Sequence, residues 1–278
     1  MTRPGTLILC PTPLGNLEDI TLRCLRALRE ASVIIAEDTR VTRTLLARHD
    51  IHTPLRSFHA GNAQARTREV SERLKAGDTV AVVSDAGMPG ISDPGSELVR
   101  AARSLGATVE VLPGPSVVPA AAVLSGFDAS TFRFDGFFPR KAGERAAYLE
   151  SLRGEQAPVV WFEAPTRIAA LLRAVHATLP ERRLFVVREY TKKFEEQSIG
   201  TAAQLLERFG DRARGEFTIV MEGADASLPQ RSGDLAAAIA FLRSAGLSAK
   251  DAAEAIRLAT GAPRNELYRL ALRRERRP

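Results

Sequence analysis

Short apolar runs that break into clusters of glycine and proline recur along this chain, and the repetition limits the fold more than any single residue does. Leu7-Ile8-Leu9-Cys10 leads into Pro11-Thr12-Pro13-Leu14-Gly15-Asn16. The run ending at Ser84 leads into Asp85-Ala86-Gly87-Met88-Pro89-Gly90-Ile91-Ser92-Asp93-Pro94-Gly95, and Thr108–Leu112 leads into Pro113-Gly114-Pro115-Ser116. Strand-like runs alternating with amphipathic stretches are the pattern of α/β units with parallel strands. In open α/β sheets, ligands sit in the crevice beyond the carboxyl ends of the strands. Several Gly/Pro loops at those ends therefore imply a small-molecule site, since tight turns alone would not need so many.

The pattern predicts strands at Thr6–Cys10, Val33–Ala36, Thr79–Ser84 and Thr108–Leu112. Between them Leu22, Leu25 and Leu28 fall at helical spacing, and Asn62 precedes a long Arg/Glu-rich helix that ends near Gly77. A second series starts around Phe132, where Phe132, Phe134, Phe137 and Phe138 gather before Pro139. Strands are expected there at Val159–Glu163, Leu184–Arg188 and Phe217–Glu222, with helices after Pro165 and after Thr201. Residues 1–126 are read as a doubly wound N-terminal α/β domain, 127–223 as a second α/β domain, and 224–232 as a linker. Residues 233–278 are read as a helical tail. It holds Leu235–Leu242, a stop at Gly246, Ser248 capping Lys250–Leu258, a stop at Gly261, and Pro263 opening a last helix.

A chain of 278 residues has room for about two domains at roughly 150 residues each. Its 45% hydrophobic and 26% charged residues suit a soluble globular protein rather than a disordered or membrane-embedded one. The formal charge of +6 is unevenly spread: residues 1–229 carry 29 basic and 28 acidic side chains, residues 230–278 carry 10 and 5. The excess lies in the tail, whose last helix sets Arg269, Arg273 and Arg276 or Arg277 near one face. Such a face either tracks a nucleic-acid backbone or is simply solvated. Arginine supplies 34 of the 39 cations, which suits bidentate phosphate recognition and equally follows from an Arg-rich codon bias. Cys10 and Cys24 form no C-x-x-C pattern and are read as reduced, partly buried thiols. With neither a signal-peptide pattern nor a membrane-length apolar run, a cytoplasmic location is expected.

The loops also narrow the chemistry. No G-x-G-x-x-G opens a helix after the first strand and no G-x-x-x-x-G-K-[ST] occurs, which disfavours a dinucleotide or P-loop site. Gly87, Gly90 and Gly114 permit close backbone approach, and Asp85 offers an acceptor for hydroxyl or ammonium groups. Together these suit a zwitterionic adenosyl compound. His49 and His52 lack the further ligands of a zinc site, so no metal is expected. No G-x-S-x-G elbow is present, and neither cysteine has a local activating context. In Glu37-Asp38-Thr39-Arg40 the adjacent carboxylates at a strand end either bind a substrate hydroxyl or act as a base, or Asp38 or Thr39 caps the next helix while Arg40 pairs with a carboxylate.

The chain resembles the tetrapyrrole methylase superfamily, and within it the bacterial 16S rRNA cytidine 2′-O-ribose methyltransferases. The first-half residues carrying the resemblance are Pro11 to Thr21, Glu37-Asp38-Thr39-Arg40, Ser84-Asp85-Ala86-Gly87, Ile91-Ser92-Asp93-Pro94-Gly95 and Pro113-Gly114-Pro115-Ser116. In the second half they are Phe162-Glu163-Ala164-Pro165-Thr166-Arg167, Arg188-Glu189-Tyr190-Thr191-Lys192 with Glu195-Glu196, and Met221-Glu222-Gly223.

The resemblance implies two α/β domains of that type with S-adenosylmethionine bound between them, a homodimer, and a cytidine ribose of small-subunit rRNA as substrate, with neither DNA nor a membrane as partner. It implies a cofactor site lined by Leu14, Asp85, Ala86, Gly87, Met88, Ser116 and Val117, with Phe162 from the second domain. Candidates to accept or relay the hydroxyl proton are Glu37, Asp38, His59 and Glu189. Arg40, Arg188, Lys192, Arg269 and Arg273 are candidates to meet RNA phosphates. Two departures stand out: Met88 replaces the family's usual Thr, and Phe58-His59-Ala60-Gly61-Asn62 lacks the acidic residue and second His common there. The competing readings are a methyltransferase of the same fold acting on a tetrapyrrole precursor or in the diphthamide pathway, and a non-catalytic RNA- or ribosome-binding protein.

Overall fold

The structure, a computed structural model, describes residues 4–59, 61–93, 95–210, 213–225, 232–260 and 262–272. Its first sheet contains β1 (Thr6–Leu9), β2 (Val33–Ala36), β3 (Leu55–Ser57), β4 (Thr79–Val83) and β5 (Thr108–Val111). The connections run through α1 (Leu22–Glu30), α2 (Thr39–Arg48), α3 (Ala63–Lys75) and α4 (Gly95–Ser104). The order is β3-β2-β4-β1-β5, and all pairings are parallel. Right-handed crossovers then require α1 and α2 on one face and α3 and α4 on the other. Strand alternation divides the core to match. Cys10, Ile34, Ala36, Ala81 and Val83 pack with Cys24, Leu25 and Leu28 of α1 and Leu46 of α2. Leu7, Leu9, Val33, Ile35, Val80 and Val82 pack with Val70 and Leu74 of α3 and with Leu98 and Ala102 of α4. The neighbouring strands β1 and β4 send their chains to opposite faces, which opens a crevice between their loops.

Cys10 and Cys24 are fully buried rather than partly so, and both are free thiols. A hydrogen bond with Cys24, then burial, pushes the Cys10 thiol well above its ordinary range.

Helix α5 (Val117–Leu124) leaves the first sheet and packs on the second, where Val118, Ala121 and Ala122 meet Val160, Phe185, Val187 and Val220. That second sheet contains β6 (Arg133–Phe137), β7 (Val159–Glu163), β8 (Arg183–Arg188), β9 (Glu196–Thr201) and β10 (Phe217–Met221), in the order β6-β7-β10-β8-β9. Helices α6 (Ala142–Ser151), α7 (Ile168–Thr178) and α8 (Ala202–Phe209) complete this part. Only β6 and β7 pair in parallel; β7–β10, β10–β8 and β8–β9 are antiparallel. This departs from the parallel reading of the alternating pattern. The short turn between β8 and β9 permits only an antiparallel pair, and β10 runs back between two strands that share a direction.

The chain folds into two compact units, Met1–Glu150 with Ala157–Glu222, and Ser151–Gln156 with Gly223–Pro278. The second unit contains α9 (Ser232–Ser244), α10 (Ala249–Thr260) and α11 (Arg264–Leu272) around Leu235, Ile239, Ala253, Leu267 and Ala271. Gly246, with φ +95, ends the first of these helices, and the Ser248 hydroxyl accepts the Asp251 N–H at 3.1 Å to cap the next. Gly261, Arg273, Arg276 and Arg277 lie outside the described residues. No helix among the described residues is long and apolar enough to cross a membrane.

Candidate active site

A cavity of about 360 Å³ opens in the first unit, within the range of small-molecule sites. Leu14 and Ala86 line it from the loops after β1 and β4, and Val117 from the start of α5. Phe137, Phe162, Glu163, Tyr190, Glu216 and Thr218 line it from the second sheet. The first-sheet loops are sewn together. The Thr12 N–H donates to the Gly87 carbonyl at 3.0 Å and the Gly87 N–H returns a bond at 2.9 Å. The Thr12 hydroxyl donates to the Ser84 carbonyl at 3.0 Å, and the Ser84 hydroxyl to that of Gly87 at 3.1 Å. Gly87 has φ +76, a backbone conformation that favours glycine, and a Cβ there would stand 3.0 Å from the flexible tip of Leu14.

Of the residues expected to hold a cofactor, Leu14, Ala86, Val117 and Phe162 line this cavity. Gly87 is buried behind it and Met88 is half-buried beside Gly87. Ser116 stands at the N-cap of α5, and its hydroxyl has no partner among the described residues. Asp85 is half-buried and accepts the Asp38 N–H at 2.8 Å. Burial pushes its carboxyl above the ordinary 3.8, aided by the Asp38 and Glu216 carboxylates and opposed by that N–H.

The four candidate proton acceptors differ sharply. Asp38 caps α2 by accepting the Arg40 N–H at 2.8 Å and pairs with the Arg40 guanidinium at 2.6 Å, which holds its carboxyl at about 2. It therefore adopts the capping arrangement. Glu189 accepts from Lys192 Nζ at 3.0 Å and from the Glu216 N–H at 2.9 Å. Burial pushes its carboxyl up, but these two donors hold it below the ordinary value. His59 is exposed, and its Nδ1 accepts the Gly61 N–H at 3.2 Å. A neutral ring held that way carries its proton on Nε2, where it donates rather than accepts. Glu37, at the carboxyl end of β2, makes no hydrogen bond or ion pair among the described residues. Loss of surrounding water and then the Asp85, Asp93 and Asp38 carboxylates raise it above 4.5.

The turn between β8 and β9 is locked to the loop after β1. The Asn16 N–H donates to the Thr191 hydroxyl at 3.1 Å, and a Cβ on Gly15 would stand 2.3 Å from Lys192 Cγ. Glu189 and Thr191 adopt φ of 51° and 63°, left-handed backbone rare outside glycine. Lys192 binds Glu189 at 3.0 Å and Glu216 at 2.8 Å; burial pulls its ammonium down, yet these carboxylates hold it above the ordinary value. Arg188 contacts Glu196 at 3.4 Å. Both cations are thus engaged within the fold. Arg40 and Arg269 are exposed.

His52 pairs with Asp50 at 2.9 Å, and among the described residues no group of three or more His, Cys, Asp or Glu side chains is placed to hold a metal. Sequence reasoning did not select Glu163, Tyr190, Thr218 or Phe137. Glu163 is nearly sealed off, bound to Arg167 at 3.1 Å and to the Ala164 N–H at 2.9 Å, with burial pushing its carboxyl up. The four-residue spacing of Glu163 and Arg167 was its available signal. The hydroxyls of Tyr190 and Thr218 have no hydrogen-bond partner among the described residues.

A doubly wound parallel sheet and a mixed second sheet both contribute to the lining of this cavity. The sequence matches the family model "Tetrapyrrole (Corrin/Porphyrin) Methylases" over residues 6–206. It is 43% identical over 222 residues to "Ribosomal RNA small subunit methyltransferase I" of Thermotoga maritima, covering 80% of this chain and 100% of that protein. It is 40% identical over 271 residues to the protein of that name from Neisseria meningitidis serogroup B, covering 96% of this chain and 93% of the other. The fold matches that of uroporphyrin-III C-methyltransferase from Thermus thermophilus, solved with S-adenyl homocysteine, at TM-score 0.55 and 16% identity, covering 78% and 96% of the two chains. The chain belongs to the tetrapyrrole methylase family, in the branch of the ribosomal RNA small subunit methyltransferases I.

Proposed function

We propose that this chain transfers a methyl group from S-adenosylmethionine to the 2′-hydroxyl of a cytidine ribose in the small-subunit rRNA. The residues present fit that donor. Leu14, Ala86, Val117 and Phe162 give the cavity apolar walls, and the glycine at 87 lets the backbone come close. The Thr218 hydroxyl in the lining and the half-buried Asp85 carboxylate beside Ala86 suit hydroxyl and ammonium groups. Asp85, Gly87, Met88 and Ser116 would complete the cradle. When bound, S-adenosylmethionine supplies a methyl group on a positively charged sulfur.

The protein's part is to align the weakly acidic hydroxyl and to receive its proton. The observation that carries the reading is this cavity in a chain 40–43% identical to ribosomal RNA small subunit methyltransferases I. Glu37, an exposed carboxylate at the carboxyl end of β2 with no partner among the described residues, is the candidate to receive the proton. Glu37 takes the proton, Asp38 and Arg40 fix the start of α2 beside it, and Lys192 with Glu189 braces the turn that carries Tyr190 into the cavity. His59, Arg188 and Arg273 take no assigned step; Arg269 remains to meet phosphates, as does Arg40, which is paired with Asp38 yet 85% exposed. Assembly as a homodimer in the cytoplasm belongs to the same proposal.

The test is methyl transfer from labelled donor to 30S subunits lacking the modification, followed by mapping of the labelled nucleotide. Label on a cytidine ribose is expected. Label on a base, or none on RNA, would overturn the assignment. A tetrapyrrole substrate is supported only by neighbours of low identity, which speak for the fold alone.

A further inference from the structure

Phe137 is 54% exposed, yet its position is tightly determined. Its ring meets Phe162 edge-to-face at 5.7 Å and 71°, and Phe162 in turn meets Phe134 at 4.9 Å and 59°. In a regular strand, residues three apart point to opposite faces. Here the β6–β7 register shifts between Phe134 and Phe137, and Gly136 within the shift has φ +69. This bulge turns Phe137 to the face of Phe134 and Phe162, the face that lines the cavity. Bulges beside active sites commonly re-aim a side chain in this way. The bulge also approaches the loop after β4: a Cβ on Gly136 would stand 3.7 Å from the Ser92 hydroxyl. Ser92 adjoins Asp93, one of the carboxylates acting on Glu37. An aromatic ring packed against Phe162 and still half exposed therefore stands on the cavity rim, next to the loop that carries Ser92 and Asp93.

We propose that Phe137 is a stacking platform for the unpaired pyrimidine base whose ribose is methylated, an inference that rests on the function proposed above. Proteins that recognise single-stranded RNA segments hold splayed bases against aromatic rings, and an exposed ring on the rim of the proposed methyl-transfer cavity is placed to do so for the target nucleotide. Phenylalanine accepts a base by its face alone, so the platform positions the nucleotide while leaving its identity to other contacts.

The experiment compares wild type with Phe137→Ala, Phe137→Leu and Phe137→Trp on 30S subunits lacking the modification, measuring KM and kcat, and separately the Kd for S-adenosylmethionine. Loss of one base–aromatic stack predicts a rise in KM of roughly 10- to 100-fold for Phe137→Ala. Phe137→Leu keeps the apolar bulk and is expected to behave like alanine. Phe137→Trp is expected to restore binding, and the donor Kd should stay within about twofold throughout. A parallel loss of donor affinity would make the ring a cofactor contact and overturn the proposal. So would an unchanged KM in Phe137→Ala, or Phe137→Leu equal to wild type. Wild-type protein that fails to methylate the subunit removes the function itself. Active wild type with an indifferent Phe137→Ala removes only the platform.

Discussion

Glu37 and Asp38 are chain neighbours with opposite fates. Asp38 spends both its oxygens on the first turn of α2 and on Arg40, while Glu37 faces other carboxylates with no cation beside it. Only a poorly stabilised carboxylate gains from taking a proton at neutral pH. Glu37→Gln is therefore expected to lower kcat by roughly 10²- to 10⁴-fold with donor affinity unchanged, whereas His59→Ala should retain turnover. Because the base must be ionised, the rate should fall as pH drops through the Glu37 pKa, on a limb lying above 4.5. That limb should vanish in the Gln variant; a rate profile identical in both would exclude Glu37. At this scale the sequence was informative where the backbone is constrained, as at Gly87 with its positive φ beside the cavity-lining Ala86. It was uninformative for Phe137, since a bulge overturned strand parity, and for Thr218, since a lone threonine in an apolar strand carries no signal.

The elements that shape the cavity are loops fixed by close approach. Gly15 lies against Lys192 and Gly87 against Leu14, so each glycine joins two segments distant in sequence. Gly87→Ala should cost about 1–2 kcal/mol from the left-handed backbone and weaken donor binding, measurable by denaturant unfolding and titration calorimetry. Gly15→Ala should destabilise by about 1–3 kcal/mol through overpacking against the turn after β8. Equal donor affinity in wild type and Gly87→Ala would show that the cradle tolerates the change. Apolar runs located β1, β2, β4, β5, β7, β8 and β10. They missed β3, β6 and β9, whose residues Leu55-Arg56-Ser57, Arg133-Phe134-Asp135-Gly136-Phe137 and Glu196-Gln197-Ser198-Ile199-Gly200-Thr201 are mostly half-exposed. These three edge strands bury little and leave little pattern, whereas β5, also at an edge, was legible at Thr108–Leu112; strand direction in the second sheet left no pattern.

For the molecule as a whole, the charge partition acquires a structural counterpart. The nearly neutral stretch contains the cavity, and the basic excess falls largely in the separate helical unit. The Thermotoga maritima relative is matched over its entire length by 222 residues of this chain, so a protein of that branch does without about a fifth of it. Deleting residues 233–278 is expected to spare donor affinity while weakening RNA binding and flattening its dependence on salt. An unchanged slope of log affinity against log salt would return the basicity to codon usage.

The reciprocal bonds between Thr12 and Gly87 carry a consequence of a different kind. Two loops that would ordinarily sample many shapes are tied together by an isolated antiparallel bridge beyond the sheet, so one wall of the cavity is finished before any ligand arrives. Binding there forfeits little chain entropy. Amide hydrogens of Thr12 and Gly87 should accordingly exchange with solvent as slowly in the free protein as in the liganded one, and protection appearing only on binding would mark an induced site instead.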